Sequence, residues 1–300
     1  MRLSALFARG RKPLNRSNTD DSRAPPLSTV RLPRLILSKS DEILLKSGVF
    51  QKAVHYEDRI IRRKLTSELD LYSVLDGHSG DSCVNYLCEA LPRILSEQLE
   101  VIEDREEALR VAFQACSLEY EQDVRENRRS CAGAVGIACL VQGSTCVFAN
   151  VGDCKAFVST KSGFAVVNEL HRASNPKERA RVEELGFTIK EVRGVERVEG
   201  SLIPTRTFGD VTLKDQKNLH CVQPTPDTYL MIPEENALFG KRCVLMMTDG
   251  FYESCTDEAI MDCLGKSLAA GLSEDETVRA LGHLAAASHD DVSLLLLVWN

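Results

Sequence analysis

The chain reads as an α+β protein. Three observations carry that reading. Short apolar runs at Leu71–Leu75, Ala134–Leu140, Val244–Met247 and Val292–Trp299 have strand length. Two stretches with apolar residues at helical spacing lie together between the first two runs, so strands and long helices fall in blocks and not in strict alternation. A composition with 43% hydrophobic and 27% charged residues matches a globular domain, and no apolar run is long enough to span a bilayer.

In chain order, residues 1–37 form a basic extension rich in Pro, Arg and Ser, expected to be disordered. It holds seven Arg, one Lys and two Asp, net +6, which leaves −13 on the rest of a chain whose total is −7. An acidic body argues against nucleic acid as the main partner. The basic N-terminus, with no acidic residue in its first nineteen, also fits a mitochondrial transit peptide, whereas no apolar core of a secretory signal follows Arg2. Residues 38–300 are expected to be one domain. Val49–Val54 and Arg59–Leu65 read as a strand pair flanking His55-Tyr56-Glu57-Asp58. The adjacent carboxylates Glu57 and Asp58 are either solvated turn residues or metal ligands. Val84, Leu87, Leu91 and Leu95, then Leu109, Ala112, Phe113 and Tyr120, define two amphipathic core helices.

Ala134–Leu140 and Thr145–Asn150 read as strands joined by a turn at Gln142-Gly143-Ser144, and Ala156–Ser159 as a short strand. His171–Gly186 opens as a polar loop and becomes a helix, capped by Ser174 or Asn175 and ended by Gly186. A loop-rich stretch with Gly194, Gly200, Pro204 and Gly209 follows, giving a flap segment near 171–215. A helix over Asp257–Leu268, a second opening at the capping box Ser273-x-x-Glu276, and a last apolar strand Val292–Trp299 complete the chain. The eleven cysteines include no C-x-x-C pair, which disfavours both cysteine-bound zinc and a disulfide framework and implies an intracellular, reducing compartment, cytoplasmic or nuclear.

The chemistry gathers around Leu71–Asp81, LYSVLDGHSGD. An apolar strand stops at Asp76, Gly77 lets the backbone approach a ligand with its own carbonyl, and His78 can carry a proton near neutral pH. Alone, this is equally a polar strand-to-helix turn with Asp as the cap. The pattern recurs: Val244–Gly250 is an apolar run ending in Asp249-Gly250, and Val147–Asp153 ends in Gly152-Asp153. Three buried strands ending in aspartate suggest carboxylates converging on a divalent ion, and hard oxygen ligands suit Mg or Mn.

Seven segments, in order, resemble those of the metal-dependent serine/threonine protein phosphatases of type 2C. They are Tyr56-Glu57-Asp58, Asp76-Gly77-His78-Ser79-Gly80, Asn150-Val151-Gly152-Asp153, His171 through Gly186, Arg197 to Asp210 (RVEGSLIPTRTFGD), Thr248-Asp249-Gly250 and Ser288-His289-Asp290-Asp291. The resemblance covers Val49 to Trp299. It implies a central β-sandwich of two antiparallel sheets flanked by helices on both faces, and hydrolysis of phosphoserine and phosphothreonine in proteins by water activated between two Mn or Mg ions. By motif position, Glu57, Asp76, Asp249 and Asp290 would supply carboxylates to the ions and Gly77 its carbonyl. Asp58 would act from behind through bound water, and Asp153 would belong to a weaker third ion. His78 would protonate the leaving oxygen, beside Asp76 at the catalytic centre. Phosphorylated proteins would be the partners, with the chain a monomer.

The sequence departs from the family pattern at Ser79, Cys154 and Asp291, and at Ala53, where the family has a phosphate-binding arginine. Lys52 is the neighbouring candidate for the substrate phosphate. These departures keep a second reading open, a catalytically weak or inactive relative acting as a binding or regulatory module. A metallohydrolase built on several histidines fits less well, since of the six only His78 and His289 flank a ligand motif.

Overall fold

The computed structural model describes residues 45–127, 132–216 and 219–299. The basic extension at 1–37 lies outside them. Strand β1 (Leu45–Lys52) is followed by β2 (Arg59–Lys64) and β3 (Asp70–His78). Helices α1 (Ser82–Leu99) and α2 (Arg105–Asn127) come next, then β4 (Gly133–Gln142), β5 (Thr145–Val151), β6 (Lys155–Thr160) and β7 (Gly163–Val166). Asn175 caps α3 (Pro176–Glu184), its side chain accepting the Lys177 N–H. The flap stretch expected to be loop contains a hairpin, β8 (Ile189–Val192) with β9 (Val195–Val198), before the short β10 (Phe208–Gly209) and α4 (Val211–Gln216). The last third holds β11 (Asp227–Met231), β12 (Arg242–Met247), α5 (Asp249–Tyr252), α6 (Asp257–Ala269), α7 (Glu274–Gly282) and β13 (Val292–Trp299). The capping box of Ser273 and Glu276 is formed at the start of α7.

These strands make two antiparallel sheets. One runs β1-β13-β12-β6-β7; the other runs β11-β5-β4-β3-β2, with β10 paired to β4. Alternation along each strand explains the layering. In β13, Leu295, Leu297 and Trp299 face the opposing sheet, while Val292, Leu294, Leu296 and Val298 pack with α6 and α7 residues such as Ile260, Leu264 and Leu281. In β4, Val135, Ile137, Cys139 and Val141 face inward, while Ala134, Ala138 and Leu140 meet α1 and α2 through Leu87, Leu91 and Phe113. The fold is therefore the expected α-β-β-α sandwich. Apolar residues on both faces of these central strands are what remove strict alternation of polarity from the sequence.

One expectation is corrected. β1 and β2 are not a strand pair: β1 pairs with β13 in one sheet and β2 with β3 in the other. The six residues between them cross from sheet to sheet, because the Asp291 carboxylate accepts the backbone N–H groups of Val54, His55, Tyr56, Glu57 and Asp58. A smaller difference concerns β3, which runs past Asp76 to His78 by pairing Asp76, Gly77 and His78 with Val135, Ala134 and Gly133.

Candidate active site

Alternation along β3 sends Leu71 and Leu75 toward the helices and Val74 between the sheets. Asp76, two residues beyond Val74, thus projects into one open end of the sandwich. β5 leads to Asp153 at the same end, and β12 leads through Thr248 to Asp249. The segment entering β13 brings Asp290, and the crossing loop brings Glu57. All five carboxylates line one cavity of about 410 Å³, together with Gly77 and His78. Gly250 permits the approach of Asp249 to the β13 segment, since a Cβ there would lie 2.0 Å from the Asp291 carbonyl oxygen.

Two predicted residues fall outside this wall. Asp58 lies behind it, accepting from the Thr248 hydroxyl at 2.9 Å. Lys52 lines a neighbouring cavity of about 210 Å³ with Asp58 and Ala53, and its ammonium donates to the carbonyls of Ala286 (3.0 Å) and Ser288 (2.7 Å). Arg59, Arg62 and Arg63 are also engaged elsewhere: Arg59 with the Tyr56 and Asp58 carbonyls, Asn85 and Asp81, Arg62 with Ser47, and Arg63 with Glu89. The arginine that does line the main cavity is Arg197, from β9, held by donation to the Ser201 carbonyl at 3.0 Å. Ser201, Leu202, Ile203 and Pro204 of the flap segment complete that side.

Burial perturbs three of these carboxyl groups, and neighbouring carboxylates add to it. Burial raises the Asp76 carboxyl well above its usual range, and Asp249, Asp58 and Asp153 add to the effect. Burial, reinforced by Asp153 and opposed by Arg172, pushes Asp249 up to about 7. Asp58 also reaches about 7, because burial outweighs hydrogen bonds from Ser293 and Thr248. Asp291 is the opposite case: burial would raise it, but the N–H groups of Val54, His55, Glu57 and Asp58 hold it below its usual value. Four of the carboxylates on the wall have a recorded protein partner, with Glu57 accepting the Gly80 N–H, Asp290 the Asp291 N–H, and Asp153 and Asp249 the Arg172 side chain. Among the described residues, no group of three or more His, Cys, Asp or Glu side chains is gathered as for a single ion.

Three participants escaped the sequence reading. His78 Nε2 lies 3.0 Å from both oxygens of Asp210, a buried residue in the left-handed region with φ 53°. Burial alone would lower the imidazole pKa, but Asp210 raises it, helped by Asp153 and Glu57. Gly133 makes room for this pair, because a Cβ would sit 2.3 Å from His78 Nε2. The signal was present, since Gly209-Asp210 repeats the Gly-Asp pattern of Gly152-Asp153. Arg172 and Glu253 are the other two. Glu253 follows Asp249 by four residues, a spacing that places both on one face of a helical turn.

The flap segment is anchored by a second polar network. Glu178, buried on α3, accepts from Arg181, Arg206 and Thr205. Arg206 also donates to Asp227, and Asp227 meets His171 Nε2 at 3.2 Å. The Gly152 N–H donates to His171 Nδ1 at 3.0 Å, so Nε2 carries the ring proton toward Asp227. The segment that reaches over the cavity is thereby tied to the strand end that delivers Asp153.

Known proteins share this fold. The solved chain described as serine-threonine phosphatase 2C from Toxoplasma gondii superposes with a TM-score of 0.71 at 13% identity, covering 85% of this chain and 95% of that one. A C. elegans sex determining protein gives 0.71 at 21% identity, covering 87% and 66%. Among curated proteins, probable protein phosphatase 2C 32 of Oryza sativa subsp. japonica is 25% identical over 264 residues, 85% of this chain and 65% of that protein. Human probable protein phosphatase 1N is 27% identical over 211 residues, 68% of this chain and 47% of that protein. The chain thus spans less than two thirds of the length of these curated relatives. The sequence model of the family described as protein phosphatase 2C matches residues 49–290, nearly all of the sandwich and every segment that lines the cavity. On that match the chain belongs to the protein phosphatase 2C family.

Proposed function

We propose that this chain hydrolyses phosphoserine and phosphothreonine in proteins, with Mn or Mg as its cofactor. The observation that carries this is the meeting of Glu57, Asp76, Asp249 and Asp290, from four separate stretches, around one cavity that also holds His78. The donor set fits a hard divalent ion, because Glu57, Asp76, Asp249 and Asp290 offer it carboxylates and Gly77 adds a backbone carbonyl. Burial raises the Asp76 carboxyl, and Asp249, Asp58 and Asp153 add to it, a repulsion that a cation there would relieve. Glu57, Asp76, Asp249, Asp290 and the Gly77 carbonyl would hold two ions, with Asp58 supporting them from behind. Bound there, the ions supply activation of water and charge compensation on the phosphoryl oxygens.

The chain's own groups do the rest. Asp210 engages His78 Nε2 and favours the protonated ring, so Nδ1 is left to deliver a proton to the departing serine or threonine oxygen. Arg197 takes the part of the phosphate contact that Ala53 cannot supply, since Arg197 lines the cavity while Lys52 is turned to the Ala286 and Ser288 carbonyls. A grip carried on the flap hairpin, in place of the β1–β2 crossing, couples phosphate binding to the position of the flap.

The test is release of phosphate from a phosphothreonine peptide with and without Mn. Mn-dependent turnover is expected, and Asp249→Asn should lower it by about a hundredfold or more, on the scale of losing an electrostatic element of the site. Turnover indifferent to Mn, or untouched by Asp249→Asn, would sink the reading. No turnover at all with Mn bound would favour the binding-module alternative.

A further inference from the structure

Arg172 pairs with two of the carboxylates that line the cavity, Asp153 and Asp249. Its Nε donates to Asp153 Oδ2 at 2.6 Å, one terminal nitrogen to Asp249 Oδ2 at 2.7 Å, and the other to Glu253. Each of its three nitrogens therefore serves a different carboxylate. The guanidinium carbon lies 5.8 Å from the centre of the Tyr252 ring, and the Tyr252 hydroxyl donates to the Asp153 carbonyl at 2.7 Å. The arginine side chain is 18% exposed and that of Asp153 is 5% exposed. The backbone is fixed on both sides: His171 N–H donates to the Gly152 carbonyl at 3.0 Å, Thr205 N–H donates to the His171 carbonyl at 2.8 Å, and Arg172 bridges to Pro204.

Asp153 was expected to serve a third, weaker ion. The residues present do not fit that ion, because one oxygen of each of Asp153, Asp249 and Glu253 is already held by a guanidinium that keeps its positive charge among them. A divalent cation entering there must expel a like charge from a partly buried site and break three charge-assisted hydrogen bonds. We propose that Arg172 is a tethered cation standing in for a third metal ion at the cluster of Asp153, Asp249 and Glu253, so that this chain takes up no ion there. The arginine supplies a fixed positive charge beside Asp249 whatever the metal concentration. Because it bridges to Pro204, it also ties the root of the flap to the carboxylate cluster. The inference rests on the metal reading above only for the other ions being counted.

The experiment is a count of bound Mn by calorimetric titration and by electron paramagnetic resonance of free Mn, on the full chain and on Arg172→Met. The variant should bind one more ion than the wild type, and Glu253→Gln added to it should return the count to the wild-type value. Equal counts in wild type and Arg172→Met overturn the proposal. Should Arg172→Met fail to fold, Glu253→Gln alone decides: an unchanged count upholds the proposal, and the loss of one ion shows that Glu253 already held it. A wild type that binds no ion refutes the cofactor proposal instead, and the difference between wild type and Arg172→Met still decides the role of Arg172.

Discussion

Asp76 and Asp249 line one cavity and repel one another, and His78 touches Asp210; these two pairs set the chemistry at the scale of single residues. The second pair gives a sharp expectation. Asp210 both orients the imidazole and stabilises its charged form, so its effect should follow how much the leaving oxygen needs a proton. Asp210→Asn keeps the shape and removes the charge. Its kcat on a phosphothreonine peptide should fall by about tenfold to a hundredfold, while an aryl phosphate with an easily departing phenolate should lose about threefold or less. Equal losses on the two substrates would show that His78 does not act as the acid. His78 was legible because it follows a strand-ending Asp-Gly. Its partner was not, because Asp210 lies 132 residues away and reaches the ring only through left-handed backbone at Gly209 and Asp210. Arg172 was hidden for a similar reason, standing in a polar loop where an arginine is ordinarily a solvated surface group.

At the scale of elements, continuous apolar runs of strand length were a reliable guide to β4, β12 and β13, because each is buried on both faces and its length is bounded by polar turns. The helices were equally plain, with the capping box at Ser273 and the Asn175 cap placing their starts. Pairing was harder: β1 and β2 are adjacent in sequence and look like a hairpin, yet Asp291 draws the loop between them across to the other sheet. The flap anchor offers the test at this scale. Burial alone would raise Glu178, but Arg206, Arg181 and Thr205 hold it well below its usual value, and Asp227 is lowered to about 2 by His171 and Arg206 against burial. Both folded-state values are depressed, so the stability they contribute is complete above the unfolded carboxyl value near pH 4 and is lost as pH falls toward about 2. Urea unfolding across that interval should show the decline. Glu178→Gln should cost about 3–5 kcal/mol at neutral pH, as for removal of one partner from a buried ion pair, and should flatten the acid dependence. An acid profile identical to that of the wild type would mean that the network does not support the fold.

At the scale of the whole molecule, the sandwich is a frame that carries acidic residues from the ends of both sheets to one opening. Such a frame should be more stable with cations present than without. At about a hundred times its dissociation constant, Mn should add about 2.7 kcal/mol and raise the melting temperature by about 5–10 °C. Calorimetry with Mn and with a chelator measures this, and coincident melting curves would count against a cation-stabilised cluster. Among the described residues no helix is long and apolar enough to cross a membrane. The sequence by itself determined the layered α+β class and the strand ends that carry Asp76, Asp153 and Asp249. It could do so because those features are local, written as apolar periods that stop at Asp-Gly or Gly-Asp. Only the tertiary structure decided which groups meet: Asp210 on His78, Asp291 beneath the Glu57 loop, Arg197 on the cavity wall and Arg172 among three carboxylates. Those contacts join residues far apart in the chain through long side chains and turning backbone, and nothing local in the sequence fixes where such side chains end.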